Sequence, residues 1–560
     1  LQAEFGPKYY RIAHHILCQV ETGSKEINRL HSITDFCANR VLPPKPLHPV
    51  GEALVPEKRP LSAAMEVETF AGKVHVEWDP TAAVTPIGQL PFFIEFLKLG
   101  HRFYPWVEDC PLHYVSNNAP QKIDVLGSLF LSVLSGHNRY VHITALRGDS
   151  VNTKLLGMTK VISDDSAIRA LKRMDETAAV DWLQRHLQSC YEPLLSTPWI
   201  LDVDVTVKPL YGRQEGAKVG YNPHKPGRPS HTYHSYIMAN TRLVLEVEVQ
   251  PGDQSHAAHS MPGLIGLLHR LPAACQPAFI RGDCEWGNDP VMSELEAEER
   301  RYLFKLKRSK RVKALISQVH GQGEWTRFNP EWELKESRLQ LQGWKRARRV
   351  VVARRRLPKD PLIGVETEQA GQLELALVEG PEDMRVFEYS VLVTNLDDEL
   401  VTLMRHYRDR ADCENNFDEV KNQWGWGGFV TRELQTSQIM ARLVALIYNW
   451  WNLFVRLAIP EKHHEAITSR PLLLSSVGRL TESARQRRMV ITSTHGETTT
   501  IQRAYQRVHA FFSWLKATAP QLTPSECWRL IVTKSMEIFM GTDPNGAELS
   551  DKIHSIIMLR

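Results

Sequence analysis

Four residues between Tyr407 and Lys421 are of the types that could act together on a phosphodiester. Tyr407, Arg410, Glu414 and Lys421 stand at offsets zero, three, seven and fourteen, with no Pro or Gly before Gly425. At roughly 100° per helical residue they fall within about 60° of arc, so one helix would aim all four at a single target. An acid flanked by two cations and a phenol makes a poor core face and suits a phosphodiester held against a metal ion. The competing interpretation is a solvated helix whose charges pair locally, since Asp409, Asp412, Asp418 and Glu419 lie nearby. A second signal is the placement of acids on strands. Residues 200–207 are a β-branched, apolar run broken by Asp202 and Asp204, which alternation puts on one face. A carboxylate there is costly unless it binds a metal or finds a donor. Residues 278–283 are another apolar run that ends in Asp283, and strand C-terminal ends are where sites lie in open α/β sheets.

Stepping outward, residues 200–207, 233–239 and 243–249 predict a three-stranded antiparallel meander, with Asn240-Thr241 as its second turn. A helix over 257–271, a strand over 277–283, a helix over 289–300 and a fifth strand over 302–306 follow. Acids on the first and fourth strands and on a later helix give an α/β protein with the layout of an RNase H-like core, a mixed sheet flanked by helices. The apolar helix over 435–457 is expected to pack behind the sheet. Arg442, Asn449, Asn452 and Arg456 within it argue for a core helix and against a membrane span.

A chain of 560 residues needs roughly three to five domains or subdomains. The expected divisions are 1–64, an extension and Pro-rich linker; 65–195, an N-terminal helical DNA-binding domain; 196–311, the first part of the core; 312–400, a β-rich insertion; 401–460, the second part of the core with the Glu414 helix; and 461–560, a C-terminal helical domain. The first methionine is Met65, near which the functional protein is expected to begin. Hydrophobic content of 42% and charged content of 24% are ordinary for a globular protein. A net charge of only +4 means that any nucleic-acid surface must come from local clustering. Eight scattered cysteines without a CxxC pair fit neither a disulfide framework nor a zinc finger, and suit a reducing, cytoplasmic setting. Two basic clusters stand out. Residues 212–230 carry Lys218, Lys225 and Arg228 in a Gly/Pro-rich loop that could clamp DNA phosphates. Trp344, Lys345, Arg346, Arg348 and Arg349 interleave an aromatic with cations, which suits backbone binding beside a stacked base or, equally, a salt-laced edge strand. In 163–174, Ser163 predicts a helix N-cap, and Arg169, Lys172 and Arg173 follow on a helix that could read DNA or simply face solvent.

Asp204-Val205-Thr206, the run from Gly212 to Ala217 leading to Gly220-Tyr221-Asn222-Pro223, Arg281-Gly282-Asp283, and the Tyr407, Arg410, Glu414 and Lys421 set together resemble the DDE transposases of bacterial insertion sequences with a Tyr-Arg-Glu-Lys signature, with the Insertion Sequence 1380 family as the nearest pattern. The resemblance covers roughly residues 77–540 and is more specific in combination than any motif alone. It implies that Asp204, Asp283 and Glu414 bind two Mg²⁺ ions, with Mn²⁺ as substitute, and that Tyr407, Arg410 and Lys421 hold DNA phosphates. Asp202 rivals Asp204; the family's Thr two residues after the acid matches Thr206 and favours Asp204. The activity implied is cut-and-paste transposition on double-stranded DNA, both terminal inverted repeats and target, by a homodimer associated with a bacterial nucleoid and without a membrane. A structure-selective nuclease on the same core and a non-catalytic DNA-binding descendant are the rival expectations.

Overall fold

A computed structural model describes residues 65–537 apart from 80, 223–224, 358–386, 485 and 494–495, so the expected extension over 1–64 lies outside the described residues. The chain divides into two units, Leu1–Pro80 and Thr81–Arg560. What is described of the first is a hairpin of β1 (Met65–Thr69) and β2 (Gly72–Val76). The segment expected to be helical from residue 65 therefore opens as strands, as its alternating valines favour.

In the second unit a short strand, β3 (Val84–Thr85), precedes six helices: α1 (Leu90–Leu99), α2 (Phe103–Glu108), α3 (Lys122–Leu134), α4 (Ser150–Leu156), α5 (Asp164–Arg173) and α6 (Glu176–Tyr191). Side-chain oxygens of Asp149, Ser163 and Asp175 accept backbone N–H groups at the starts of the last three. The cations of α5 are partly engaged within the chain: Lys172 pairs with Glu433 at 2.7 Å and Arg173 lies over the Tyr114 ring.

The meander follows as β4 (Ile200–Pro209), the short β5 (Lys218–Val219), β6 (Pro229–Met238) and β7 (Leu243–Pro251). Its second turn holds Asn240 and Arg242 at φ 63° and 57°, a left-handed conformation that Asn tolerates well. Then come α7 (Ala257–Arg270), β8 (Phe279–Gly282), α8 (Asp289–Ala297), β9 (Tyr302–Lys305) and α9 (Lys310–His320). The last is a correction: residues from 312 were expected as strands, but Val312, Leu315, Ile316 and Val319 recur at helical spacing and are buried together. The strands β10 (Thr326–Arg327), β11 (Trp332–Leu339), β12 (Arg348–Arg356) and β13 (Phe387–Thr394) come next.

These strands form one sheet of ten, in the order β10-β11-β12-β13-β9-β8-β4-β6, with β5 and β7 both pairing β6. β4 runs antiparallel to β6 and parallel to β8, and β8 parallel to β9. The described strands of the 312–400 segment build no sheet of their own: β13 joins β9 in antiparallel register, Leu392 opposite Lys305, and extends the sheet from that edge.

The chain closes with α10 (Leu400–Arg408), α11 (Ala411–Gln423), α12 (Leu434–Ala458), α13 (Ala466–Leu473), β14 (Gly478–Ser483), β15 (Gln486–Ile491), α14 (Thr498–Thr518) and α15 (Pro524–Met536). The tail, expected as purely helical, thus contains a hairpin. Helix α12 is buried on nearly all sides and packs on β7 and α6. Two of its amides, three turns apart, cap the outer edge of β7. Asn449 bonds both the N–H and the C=O of Val244 at 2.9 and 2.8 Å, and Gln438 does the same for Val249. Backbone groups that no strand covers are satisfied by a helix, which fixes the height of α12 on the sheet. Stacking of Trp106 on Trp182 and the edge contact of Trp106 with Trp450 merge the N-terminal helices into the same core.

Candidate active site

Asp202 and Asp204 share a face of β4, yet their surroundings differ completely. Arg281, one strand over on β8, donates Nε and Nη2 to the two oxygens of Asp202 at 2.5 and 2.7 Å, and both side chains are only 1% exposed. A bidentate pair of this kind engages both oxygens and neutralises the carboxylate. Asp204 stands two residues further along, and Arg410 Nη2 lies 3.6 Å from its Oδ1. The same guanidinium donates through Nη1 to Glu414 Oε1 at 2.8 Å, while its Nε has no partner among the described residues. One cation therefore bridges an acid on a strand and an acid on a helix.

Asp283 follows the last residue of β8, the strand that runs beside β4, and its Oδ1 accepts the N–H of Glu285 at 2.9 Å. Burial and then the nearby charge of Asp204 push its carboxyl up to about 6. Burial also raises Asp204, against the pull of Arg410 and with the added repulsion of Glu414. For Arg410 burial acts to lower the pKa, but Asp204 and its other neighbours outweigh it, so the guanidinium stays charged. Tyr407 is raised by burial, with Arg410, Asp283 and Glu414 all within electrostatic reach. Lys421 Nζ donates to Thr206 Oγ1 at 3.4 Å, on the same β4 face as Asp204, and burial lowers its pKa.

The stretch expected as one helix is two. Asp409 and Arg410 join α10 to α11 through a tightened turn in which the Arg410 N–H donates to the Tyr407 C=O at 3.2 Å. That turn draws Arg410 inward to 5% side-chain exposure while Glu414 remains 61% exposed. Helix α11 is fixed from behind: Tyr448 OH donates to Asn416 Oδ1 at 2.6 Å, and Arg242, in the β6–β7 turn, donates through Nε to Asp412 Oδ1 at 3.0 Å. The buried Glu419 accepts from Trp424 Nε1 and from the Ala466 N–H at 3.2 and 3.0 Å. Past the helix, the Gly428 backbone passes so near Asn138 that an added Cβ would lie 2.0 Å from its carbonyl oxygen. Lys208, buried on β4 and lowered to about 7 by that burial, donates to the Gly428 C=O and to Tyr233 OH.

Residues 119–512, well over half of the chain, match the family model described as transposase DDE domain group 1. The chain belongs to that family of DDE transposases. A distant likeness also links it to a solved structure, the piggyBac transposase synaptic complex with hairpin DNA, at 12% identity and a TM-score of 0.34 over 84% of this chain and 89% of that one. No curated protein matches it. As a DDE transposase the protein carries out metal-dependent DNA cleavage and strand transfer.

Among the described residues of the transposase, no three His, Cys, Asp or Glu side chains stand close enough to hold an ion as they are placed. The Arg410 guanidinium bridges two of the acids instead. In kind the donor set fits a divalent cation: hard carboxylate oxygens that repel one another around a single counter-charge.

The remaining sequence-derived contacts divide into exposed and committed. In the loop before β6, Lys225 and Arg228 are exposed and lie over the Tyr211 ring at 5.1 and 4.9 Å, and Lys218 pairs with Asp253 at 3.1 Å. Lys345 is exposed. Arg348 and Trp344 are buried. Arg348 donates to Asp289, Ser293 and Glu296, with the Trp344 ring against its guanidinium, so neither side chain faces a ligand. Arg346 also pairs with Glu296, and Arg349 donates to Glu336 and to the carbonyls of Leu396 and Asp398. The salt-laced strand is the better account of this cluster: acids from α8, distant in sequence, meet the arginines of β12. The Arg281–Asp202 lock and the Lys208 tie went unread in the sequence, although an arginine two residues before Asp283 was the visible hint.

Proposed function

We propose that the protein is a cut-and-paste transposase of the Insertion Sequence 1380 type whose metal-binding acids are Asp204, Asp283 and Glu414 on an RNase H-like core. The observation that carries this reading is the sharing of one guanidinium, that of Arg410, by Asp204 and Glu414, with Asp283 beside them raised by burial and then by the charge of Asp204. The arrangement of β7, β6, β4, β8 and β9, an antiparallel trio followed by two parallel strands, supports the core assignment. The Arg281 lock on Asp202 supports Asp204 as the first acid.

Mg²⁺ suits such carboxylates, with Mn²⁺ as substitute, and a pair of ions supplies an activated water or 3′-OH and a stabilised leaving oxygen. Asp204 and Asp283 project from neighbouring parallel strands and are held by the sheet. Glu414, on a helix and largely exposed, is free to turn from Arg410 toward the other two. Arg410, Tyr407 and Lys421 then meet the phosphate: a guanidinium released from its acids, a phenol and an ammonium steadied by Thr206. Lys218, Lys225, Arg228 and Lys345 track the duplex further out. The substrates are the terminal inverted repeats and the target DNA, brought together by a homodimer in the bacterial nucleoid.

The test is nicking of a duplex carrying one element end, in Mn²⁺. Glu414→Ala and Asp204→Asn should each keep duplex binding and lose about 10³-fold or more in nicking, roughly 4 kcal/mol of barrier. A Glu414→Ala chain that still nicks at the wild-type rate would remove that residue from the site.

A further inference from the structure

We infer that the β14–β15 hairpin is a DNA-binding ribbon, a site separate from the acid cluster that presents to duplex DNA an acid-free face of two arginines and three hydrogen-bonding side chains beside one exposed valine, Val490. Its register puts Arg479 opposite Val490, Thr481 opposite Arg488 and Ser483 opposite Gln486. Residues opposite one another point to the same side, so these six share a face, and all six are exposed. Neither Arg479 nor Arg488 has an ion-pair partner among the described residues, and the face holds no acid.

The other face is occupied. Leu480 is buried, Met489 and Ile491 are half-buried, and Glu482, the one carboxylate of the two strands, pairs there with Arg487 at 3.2 Å and with Lys154 of α4 at 3.7 Å. An ordinary solvated hairpin mixes charge signs on its exposed side. This one segregates them, placing its acid and a neutralising arginine on one side and its two unpaired arginines on the other.

The root of the ribbon is rigid. β3 pairs with Gly478 and Arg479, the Leu480 N–H donates to the Ala83 C=O at 2.9 Å, and Ser476 Oγ donates to the Thr492 C=O at 2.9 Å. Gly478 and Gly88 meet so closely that a Cβ on either would lie 2.7 Å from the other's backbone. Beyond Arg479 the hairpin has no strand partner on either edge among the described residues. Six residues per strand reach about 20 Å, and a two-stranded ribbon fits the major groove, about 12 Å wide. Arginines with hydroxyl and amide neighbours are the side chains that meet phosphates and base edges. Charge therefore selects a duplex nucleic acid as the occupant over a second protein chain.

The inference rests on the DNA-transposase reading, and its test is independent of catalysis because binding is measured in EDTA. The full chain and the double variant Arg479→Ala/Arg488→Ala are titrated onto a fluorescein-labelled duplex across a salt series. Two lost phosphate contacts should flatten the slope of log affinity against log salt by about 2 and weaken binding by roughly 10-fold or more. Arg487→Ala, on the opposite face, should keep the wild-type slope, and an unchanged thermal midpoint of the double variant shows that the fold survives. Wild-type affinity and slope in the double variant overturn the proposal, whatever the nicking assay returns. So does a variant that keeps its DNA affinity and loses self-association, which would make the face a contact between copies of this chain. Loss of nicking alone, with the slope intact, bears on the acid cluster and overturns the ribbon.

Discussion

Two clusters of acids around an arginine sit on the same sheet and behave in opposite ways. Where β12 meets α8, Arg348 spends its donors on Asp289, Ser293 and Glu296, and Tyr302 and Arg346 add further bonds to Glu296. Burial alone would raise Glu296, but these donors outweigh it and pull the group down to about 2. Midway along β4 and at the end of β8, Arg410 faces Asp204, Asp283 and Glu414 almost alone, and Asp283 rises to about 6. A saturated cluster is finished structure. An acid-rich one is destabilised by its own charges and gains most from an added cation.

Outside catalysis, the largest effect expected is on the saturated side. Arg348→Met takes from the buried Asp289 its cation and from the half-buried Glu296 its main donor, and should cost about 3–5 kcal/mol, read as a lower urea midpoint. A loss under about 1 kcal/mol would dissolve the contrast. Next comes Asp283→Asn. It removes a charge that the apo fold disfavours, so it should stabilise the metal-free protein by roughly 1–3 kcal/mol at neutral pH and abolish the rise in melting temperature on adding Mn²⁺.

The two clusters also titrate with opposite sign. Because Asp283 is raised in the fold, its contribution favours the folded state at low pH and is lost as pH climbs through about 6. Because Glu296 is lowered, its contribution is present at neutral pH and is lost as pH falls from the ordinary carboxylate range toward about 2. Denaturation at stepped pH should therefore show stability rising as pH drops through 6, then falling below 4, with the rise reduced in Asp283→Asn, where the raised Asp204 remains. The smallest effect is that of Arg346→Ala. Its guanidinium is 61% exposed, and its removal should change stability by less than about 1 kcal/mol.

Much of the candidate site was legible in the chain because strands and helices announce themselves locally. The alternation around Asp202 and Asp204, the apolar run into Asp283 and the charged stripe near Glu414 required only periods of two and 3.6. What was misjudged depends on partners far away in sequence. Arg348 and Trp344 look like a nucleic-acid surface until Asp289 and Glu296 arrive from another helix. The helical stripe was read as unbroken because a 3₁₀-type turn at Asp409 and Arg410 leaves no Pro or Gly behind. The hairpin over 478–491 was missed because its short strands carry arginines where a buried strand would carry apolar residues.

The sequence by itself determined the kinds of group available: three carboxylates on separate elements, the cations near them and the periodicities that build a mixed sheet between helices. Only the tertiary structure decided which acid is closed by Arg281 and which remains open, because Asp202 and Asp204 are alike in type and face. Their difference lies in what β8 and α11 bring across the sheet. Local pattern sets which atoms a chain can offer, and long-range packing sets which of them stay unpaired.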